Sequence, residues 1–367
     1  MKRMRTFALI ALAIFALASC QGKTETAVAP TDVTTRLLTD ATGIDDKSFN
    51  AAGWRGILSY YGDTWENPTK RGTLYDWVTA QGQDMYVPNL KQASDEKYDL
   101  VIVTGFTWAD ALSEVAPLYP EQRYLIVDVD WVGKPNVMEA TFSEHEGSYL
   151  VGVAAALKAK ADGIVKPRFG FIGGVPGMVI TKFEMGWVQG ILSVIPDAEI
   201  VDYYANDWGK PELAKAQAKN WFDGGVYAIF SAAGGTGNGT IAQAKEYRLA
   251  GKNVWAVGVD SDQYEDGIYA DGQSAVLTSM LKRVESATEY AIKAVKDGTF
   301  RAEVVVFDTK SDGVGFSDRN AALGADIVAA VNAVRDDIIA GRVKVIPTYK
   351  DALAAGAVPD RLQAKDE

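Results

Sequence analysis

The chain has 367 residues, of which 48% are hydrophobic and 23% charged, and its formal net charge is −11. This is the balance of a globular protein, and the negative charge argues against nucleic acid or an anionic lipid face as the ligand, because both attract basic surfaces. A single histidine, His145, argues against a histidine-based metal site or a Ser-His-Asp triad, and a single cysteine, Cys20, precludes an intramolecular disulfide.

Residues 1–5 carry three basic side chains, and residues 6–19 are almost wholly apolar, too short a run for a comfortable membrane span. The run ends Leu17-Ala18-Ser19-Cys20, the layout of a bacterial lipobox. Residues 1–20 are therefore expected to be a lipoprotein signal peptide. Cys20 would be the lipidated new N-terminus, carrying acyl chains such as palmitate. Residues 21–35, polar and threonine-rich, read as a flexible tether. Lipidation would hold the domain on the cell membrane, on its extracytoplasmic side, rather than span it. Roughly 330 residues remain, which suggests two lobes rather than one core.

From residue 36 onward strands and helices alternate, the pattern of parallel sheets with crossover helices. Residues 36–40 read as a strand and 48–61 as a helix. A polar loop follows, then a second helical piece over 73–81 and a short strand over 85–87. Strands are expected at 100–103, 124–127 and 137–142. The second half repeats the scheme: helix 146–160, strand 169–174, helix 181–195, strand 200–204, helix 212–222, strand 227–230, helix 240–249, strand 254–259, strand 275–279 and helix 281–295. Residues 304–307 and 343–347 read as strands, 321–339 as a helix, and the end from about 363 as disordered. His145 reads as a solvated loop residue.

The turn from Thr39 to Asn50 holds three carboxylates at a strand-to-helix junction, where ligands bind in α/β sheets. Asp46 or Ser48 could equally cap the helix. A calcium-binding nucleoside hydrolase motif, Asp-x-Asp-x-x-x-Asp-Asp, aligned on Asp45-Asp46 places Thr39 and Ala41 where two aspartates belong, which counts against a metal enzyme. The run Gly234-Gly235-Thr236-Gly237-Asn238-Gly239 lacks the ending of a P-loop, and reads either as backbone that approaches a ligand or as a tight turn. Asp128 and Asp260 follow strands on the same edge. A carboxylate at Asp260 suits the two hydroxyls of a ribose, with Lys282 as a donor to the same sugar. The alternative is two solvated charges or an ion pair. Phe49 and Trp208 fall at strand ends in different halves and could sandwich a flat ring, or could be core residues, as Trp54, Trp187 and Trp221 are expected to be.

Taken together, Asp45-Asp46-Lys47-Ser48-Phe49-Asn50, Gly105-Phe106, Glu146-Gly147-Ser148-Tyr149-Leu150, Gly170-Phe171-Ile172-Gly173-Gly174, the glycine run at 234–239, Gly258-Val259-Asp260-Ser261-Asp262-Gln263 and Leu277-Thr278-Ser279-Met280-Leu281-Lys282-Arg283 resemble the basic membrane protein family of bacterial lipoproteins. The resemblance implies an α/β, type I periplasmic-binding-protein fold, with two doubly wound parallel-sheet lobes joined by a hinge. Lobe I would comprise 36–142 plus 276–305, lobe II 143–275 plus 306–350, and residues 351–367 a tail. It implies a substrate-binding protein of an ABC transporter that captures purine nucleosides (inosine, guanosine or adenosine), with permease subunits and the membrane as partners. Neither enzymatic activity nor a cofactor or metal is implied, nucleic acid is not a partner, and the protein is expected to be a monomer. By this resemblance Phe49 and Trp208 stack on the base, Asp40 bonds it, Asp260 and Lys282 hold the ribose, and backbone at Gly234 approaches the ligand. Asn50 and Asp128 complete the candidate set. A receptor for a sugar or other small metabolite and a nucleoside hydrolase are the competing readings.

Overall fold

Leu37 and Leu38 are adjacent in sequence, yet each is fully buried in a different apolar cluster. A strand covered on both faces needs such a continuous apolar run instead of alternation. The computed structural model describes residues 32–366, and the signal, Cys20 and most of the tether expected above lie outside them. The first half runs β1 (Thr35–Thr39), α1 (Phe49–Tyr61), β2 (Tyr75–Thr79), α2 (Tyr86–Asp95), β3 (Leu100–Thr104), α3 (Ala109–Val115), β4 (Arg123–Val127) and β5 (Val137–Phe142). The second half runs α4 (Glu144–Ala161), β6 (Arg168–Gly173), α5 (Met178–Val194), β7 (Glu199–Tyr204), α6 (Pro211–Asp223), β8 (Val226–Ala232), α7 (Asn238–Leu249) and β9 (Trp255–Asp260). A small hairpin, β10 (Ile268–Ala270) and β11 (Gln273–Ser274), leads into β12 (Val276–Lys282). The chain then returns through α8 (Val284–Lys296) and β13 (Val304–Phe307), and ends with β14 (Val314–Phe316), α9 (Ala325–Ile339) and α10 (Tyr349–Ala354).

Two six-stranded sheets result, ordered β13-β5-β4-β3-β1-β2 and β14-β12-β9-β8-β6-β7. All pairings within them are parallel except that of β14 with β12. Each is a doubly wound lobe whose strand order reverses beside its first strand, and the crevice for a ligand lies outside the carboxyl ends at that reversal. In the second lobe α4 and α5 pack closely because glycines stand at the crossing. A Cβ at Gly190 would lie 2.3 Å from the Tyr149 carbonyl oxygen, and one at Gly186 2.2 Å from that of His145.

The chain crosses between sheets at Ser143, at Arg283 and over residues 308–313. The crossings are tied together: Ser143 N–H donates to Phe307 O at 3.0 Å, and Arg283 N–H to Gly313 O at 2.9 Å.

Several expectations are corrected. Residues 75–79 form an edge strand beside β1, not a helix, because Tyr75 and Trp77 pack with Trp54. Residues 85–87 enter helix α2. The helix expected from 281 begins at Val284. Residues 276–282 pair with β9, so the return to the first lobe falls after Lys282, not at 276. Residues 343–347 are not a strand; the side chain of Gln189 takes the place of a neighbouring strand, accepting from Ile346 N at 3.0 Å and donating to Ile346 O at 2.8 Å. The end of the chain is docked: Lys365 N donates to Thr181 Oγ1 at 3.0 Å, and Gln363 Nε2 to Asp202 O at 3.0 Å. His145 sits half-buried in the first turn of α4, and burial lowers its pKa.

Candidate functional site

The carboxyl ends of the two sheets face a cavity whose walls include all eight candidate residues, Asp40, Phe49, Asn50, Asp128, Trp208, Gly234, Asp260 and Lys282.

The turn between β1 and α1 builds one wall. Asp46 accepts N–H bonds from Ser48 (3.0 Å), Asn50 (2.8 Å) and Ala51 (2.9 Å), so it caps α1 in the way the plainer reading expected. Burial pushes its carboxyl up to about 7, against the downward pull of those three donors. Asp40 Oδ1 accepts from Thr42 N and Asn50 Nδ2, each at 3.0 Å, and Asn50 Oδ1 accepts from Thr104 Oγ1 at 2.5 Å. Asn50 is thereby locked in orientation between β1 and β3.

The polar end of the cavity is a buried charge cluster. Lys282, 1% exposed, places Nζ 2.6 Å from Asp128 Oδ1 and 2.9 Å from Glu144 Oε1. Glu144 also pairs with Lys182 at 3.4 Å. Burial works against the Lys282 ammonium, but Asp128, Glu144 and Asp260 outweigh it and raise its pKa. Burial raises Asp128 to about 6 despite Lys282, and it raises Asp260 against the pull of Lys282 and Ser48. Glu144, equally buried, is held below its usual range by Lys282 and Lys182. Lys282 therefore keeps its proton while the carboxylates share one well-placed cation. Sequence reasoning placed Lys282 beside Asp260; the structure gives its direct contacts to Asp128 and Glu144. Glu144 was missed because it reads as an ordinary acidic residue in a polar turn before a helix.

The cluster has an internal symmetry. Asp128 follows β4 and Asp260 ends β9, strands in the same place in the two sheets, and both residues have left-handed backbone, φ 72° and 62°. Val127 pairs with Ala140 and Val259 with Met280, so Phe142 and Lys282, each two residues further on, hold equivalent positions. These two equivalents meet, with Nζ of Lys282 5.1 Å from the Phe142 ring centre.

Aromatic residues form the rest of the wall. The Phe49 ring centre is 4.9 Å from Lys282 Nζ. Across the cavity Trp208 lies over Gly174, where a Cβ would fall 2.1 Å from the indole Cζ3; only glycine leaves room for the ring. Phe106 meets Trp208 edge to face at 6.2 Å. Gly234 turns beside Trp208 with φ 52°. Phe106, Ile180 and Phe183 also line the cavity, and the sequence reading did not single them out as site residues.

On one side the lobes touch directly. Lys47 pairs with Asp266 at 2.7 Å, Asn238 Nδ2 donates to Asp46 O at 3.1 Å, and Ser261 Oγ donates to Ser48 O at 3.0 Å. Ser48 Oγ donates to Asp260 Oδ2. The lobes are thus closed against each other along this edge. Among the described residues no group of three His, Cys, Asp or Glu side chains has the geometry to hold a metal.

The family profile described as "ABC transporter substrate-binding protein PnrA-like" matches residues 34–348. The CD4+ T-cell-stimulating antigen of Listeria monocytogenes is 36% identical over 322 residues, covering 86% of this chain and 88% of its own. The ABC transporter nucleoside-binding protein BmpA of Lactococcus lactis is 34% identical over 357 residues, covering 94% and 99%. Among solved structures, an ABC transporter solute-binding protein from Aeropyrum pernix superposes with a TM-score of 0.76 at 26% identity, covering 89% of this chain and 98% of that one.

Proposed function

Because the chain belongs to the PnrA-like family of ABC transporter substrate-binding proteins, we propose that it captures purine nucleosides, inosine, guanosine or adenosine, between its two lobes and delivers them to the transporter's permease subunits. The observation that carries this reading is the make-up of the cavity at the strand ends: two aromatic residues from opposite lobes in its walls, and carboxylates gathered round one lysine that lies against one of those rings. Phe49 and Trp208 stack on the base, while Asp40 and Asn50 meet its polar edge. Asp260, Asp128 and Lys282 hold the ribose hydroxyls, which a carboxylate accepts from and an ammonium donates to. Backbone at Gly234 closes over the ring. The nucleoside-binding name of the Lactococcus relative supports the same assignment.

The cluster also disfavours phosphate. A phosphate charge 4 Å from a carboxylate costs about 4 kcal/mol at an effective dielectric constant of about 20, and Lys282 is already engaged by two carboxylates. Nucleosides are therefore preferred over nucleotides. No covalent chemistry is involved. The lobes rotate about the three crossing segments, and closure brings the Ser48–Asp260 and Lys47–Asp266 contacts together over the ligand. The protein acts as a monomer, held at the extracytoplasmic face of the cell membrane by acylated Cys20 through the tether.

A thermal-shift screen of the purified protein against nucleosides, bases, nucleotides and sugars tests the reading. A ligand at about one hundred times its Kd adds about 2.7 kcal/mol of stability. Shifts with inosine, guanosine or adenosine, and none with their monophosphates or with ribose, are expected. Protein shown to be ligand-free that responds only to sugars refutes the nucleoside assignment.

A further inference from the structure

A second hollow, of about 300 Å³, adjoins the main cavity and is lined by Phe106, Trp131, Pro176, Gly177, Met178 and Val179. It shares the Phe106 wall with the main cavity, and at the start of α5 Val179 faces the hollow while the next residue, Ile180, lines the cavity. The shared wall meets the aromatic residues. Lys282 is next to Phe49, Phe49 lies against Gly105 (a Cβ there would be 3.8 Å from the ring), and Phe106 follows and meets Trp208. The hollow thus shares a wall with Phe106, which meets the ring-stacking Trp208.

Its chemistry is the opposite of the main cavity's. None of its six residues carries a charge, and its one side-chain hydrogen-bonding group is the Trp131 indole N–H. Two large apolar side chains stand exposed on it, Trp131 at 50% and Met178 at 39%, one from each lobe. Exposed apolar surface that continues from a ligand cavity marks a place where more apolar ligand can be buried, and a thioether opposite an indole adapts well to varied shapes.

We propose that this hollow is an annex of the binding site that receives an apolar substituent on the base. The ligands then extend from plain nucleosides to nucleosides bearing an alkyl or aryl group on the purine. The inference rests on the nucleoside reading above. The substituent passes Phe106 and lies between Trp131 and Met178, while ribose and ring keep the contacts already assigned.

The test is calorimetric binding to the full-length protein of adenosine and of adenosines carrying a benzyl group on N6 or a phenyl group on C2 or C8. At least one substituted compound is expected to bind as tightly as adenosine or more so. Met178→Glu, on the exposed rim, is expected to weaken that compound by about tenfold, roughly 1.4 kcal/mol, while leaving adenosine within about twofold. Trp131→Ala is expected to weaken the same compound selectively. If adenosine binds but all three substituted compounds are rejected, the annex is refuted and the nucleoside reading stands. A substituted compound that binds well but is weakened no more than adenosine by either variant also refutes the annex. If no nucleoside binds at all, the underlying reading fails and the annex with it.

Discussion

Replacing Lys282 by methionine probes the centre of the site. The ammonium is 1% exposed and holds Asp128 at 2.6 Å and Glu144 at 2.9 Å. Methionine has similar volume and no charge, so packing against Phe49, Phe142 and Phe183 is largely kept while the pairing is lost. Removing one partner of a buried pair costs about 3–5 kcal/mol, because the other charge is left uncompensated. Glu144 keeps Lys182 at 3.4 Å, so the larger share of the loss falls on Asp128. Asp128 comes from the first lobe and Lys282 from the second, so the loss also loosens the closed arrangement. Without Lys282 the Asp128 carboxyl rises beyond its present value of about 6. A carboxyl whose folded-state pKa lies above its unfolded one binds extra protons when folded, so its contribution to stability falls as pH rises between the two values. The deficit of Lys282→Met is therefore smaller at pH 5 than at pH 8. Urea unfolding of the wild type, Lys282→Met, Asp128→Asn and the double variant closes a cycle, and a coupling energy above about 1.5 kcal/mol at pH 8 is expected. Coupling below about 0.5 kcal/mol, or a deficit that does not change with pH, refutes the assignment of this pair as the electrostatic centre of the cleft.

Three further outcomes are expected. Asp46, raised by burial to about 7, makes the protein less stable by about 2 kcal/mol as pH rises from 5 to 7, and Asp46→Asn flattens that slope; denaturant midpoints across the range read it. Gly174→Ala forces the Trp208 ring from its seat, and nucleoside affinity measured by calorimetry falls by about tenfold or more, with a shift in indole fluorescence on the free protein. Gln189→Ala removes both bonds to Ile346, so global stability falls by about 1–2 kcal/mol, and hydrogen exchange over residues 343–348 quickens by more than the fall in global stability gives in β8.

The strands that carry the site were legible because burial on both faces leaves unbroken apolar runs. Residues 100–103 and 124–127 announce themselves in this way, and the α/β rule then points to whatever polar group follows each run, as it does for Asp128 and Asp260. What could not be read was everything set by partners distant in sequence. Residues 75–79 have the composition of neither a clear strand nor a clear helix, and become a strand only because β1 offers an open edge. Ser48 looked like a cap, yet its hydroxyl is claimed by Asp260, 212 residues away. Glu144 gains its role from the crossing that brings it to Lys282, and residues 343–347 are tethered by a glutamine side chain on α5. Local pattern predicts where chemistry can sit; cross-lobe pairing decides which groups share a proton or a charge.

The near-twofold relation between the strand ends has a consequence for how a guest is oriented. Two matched aspartates alone would offer any ligand two indistinguishable ways in, related by half a turn. The pairing is broken where one lobe carries Phe142 and Glu144 and the other Lys282 and Val284, and Lys282 meets both Phe142 and Glu144. These differences between equivalent places give the cleft a head and a tail, so a molecule with one hydroxyl-rich end has a single productive pose. The lobe that supplies the lysine sets polarity for both.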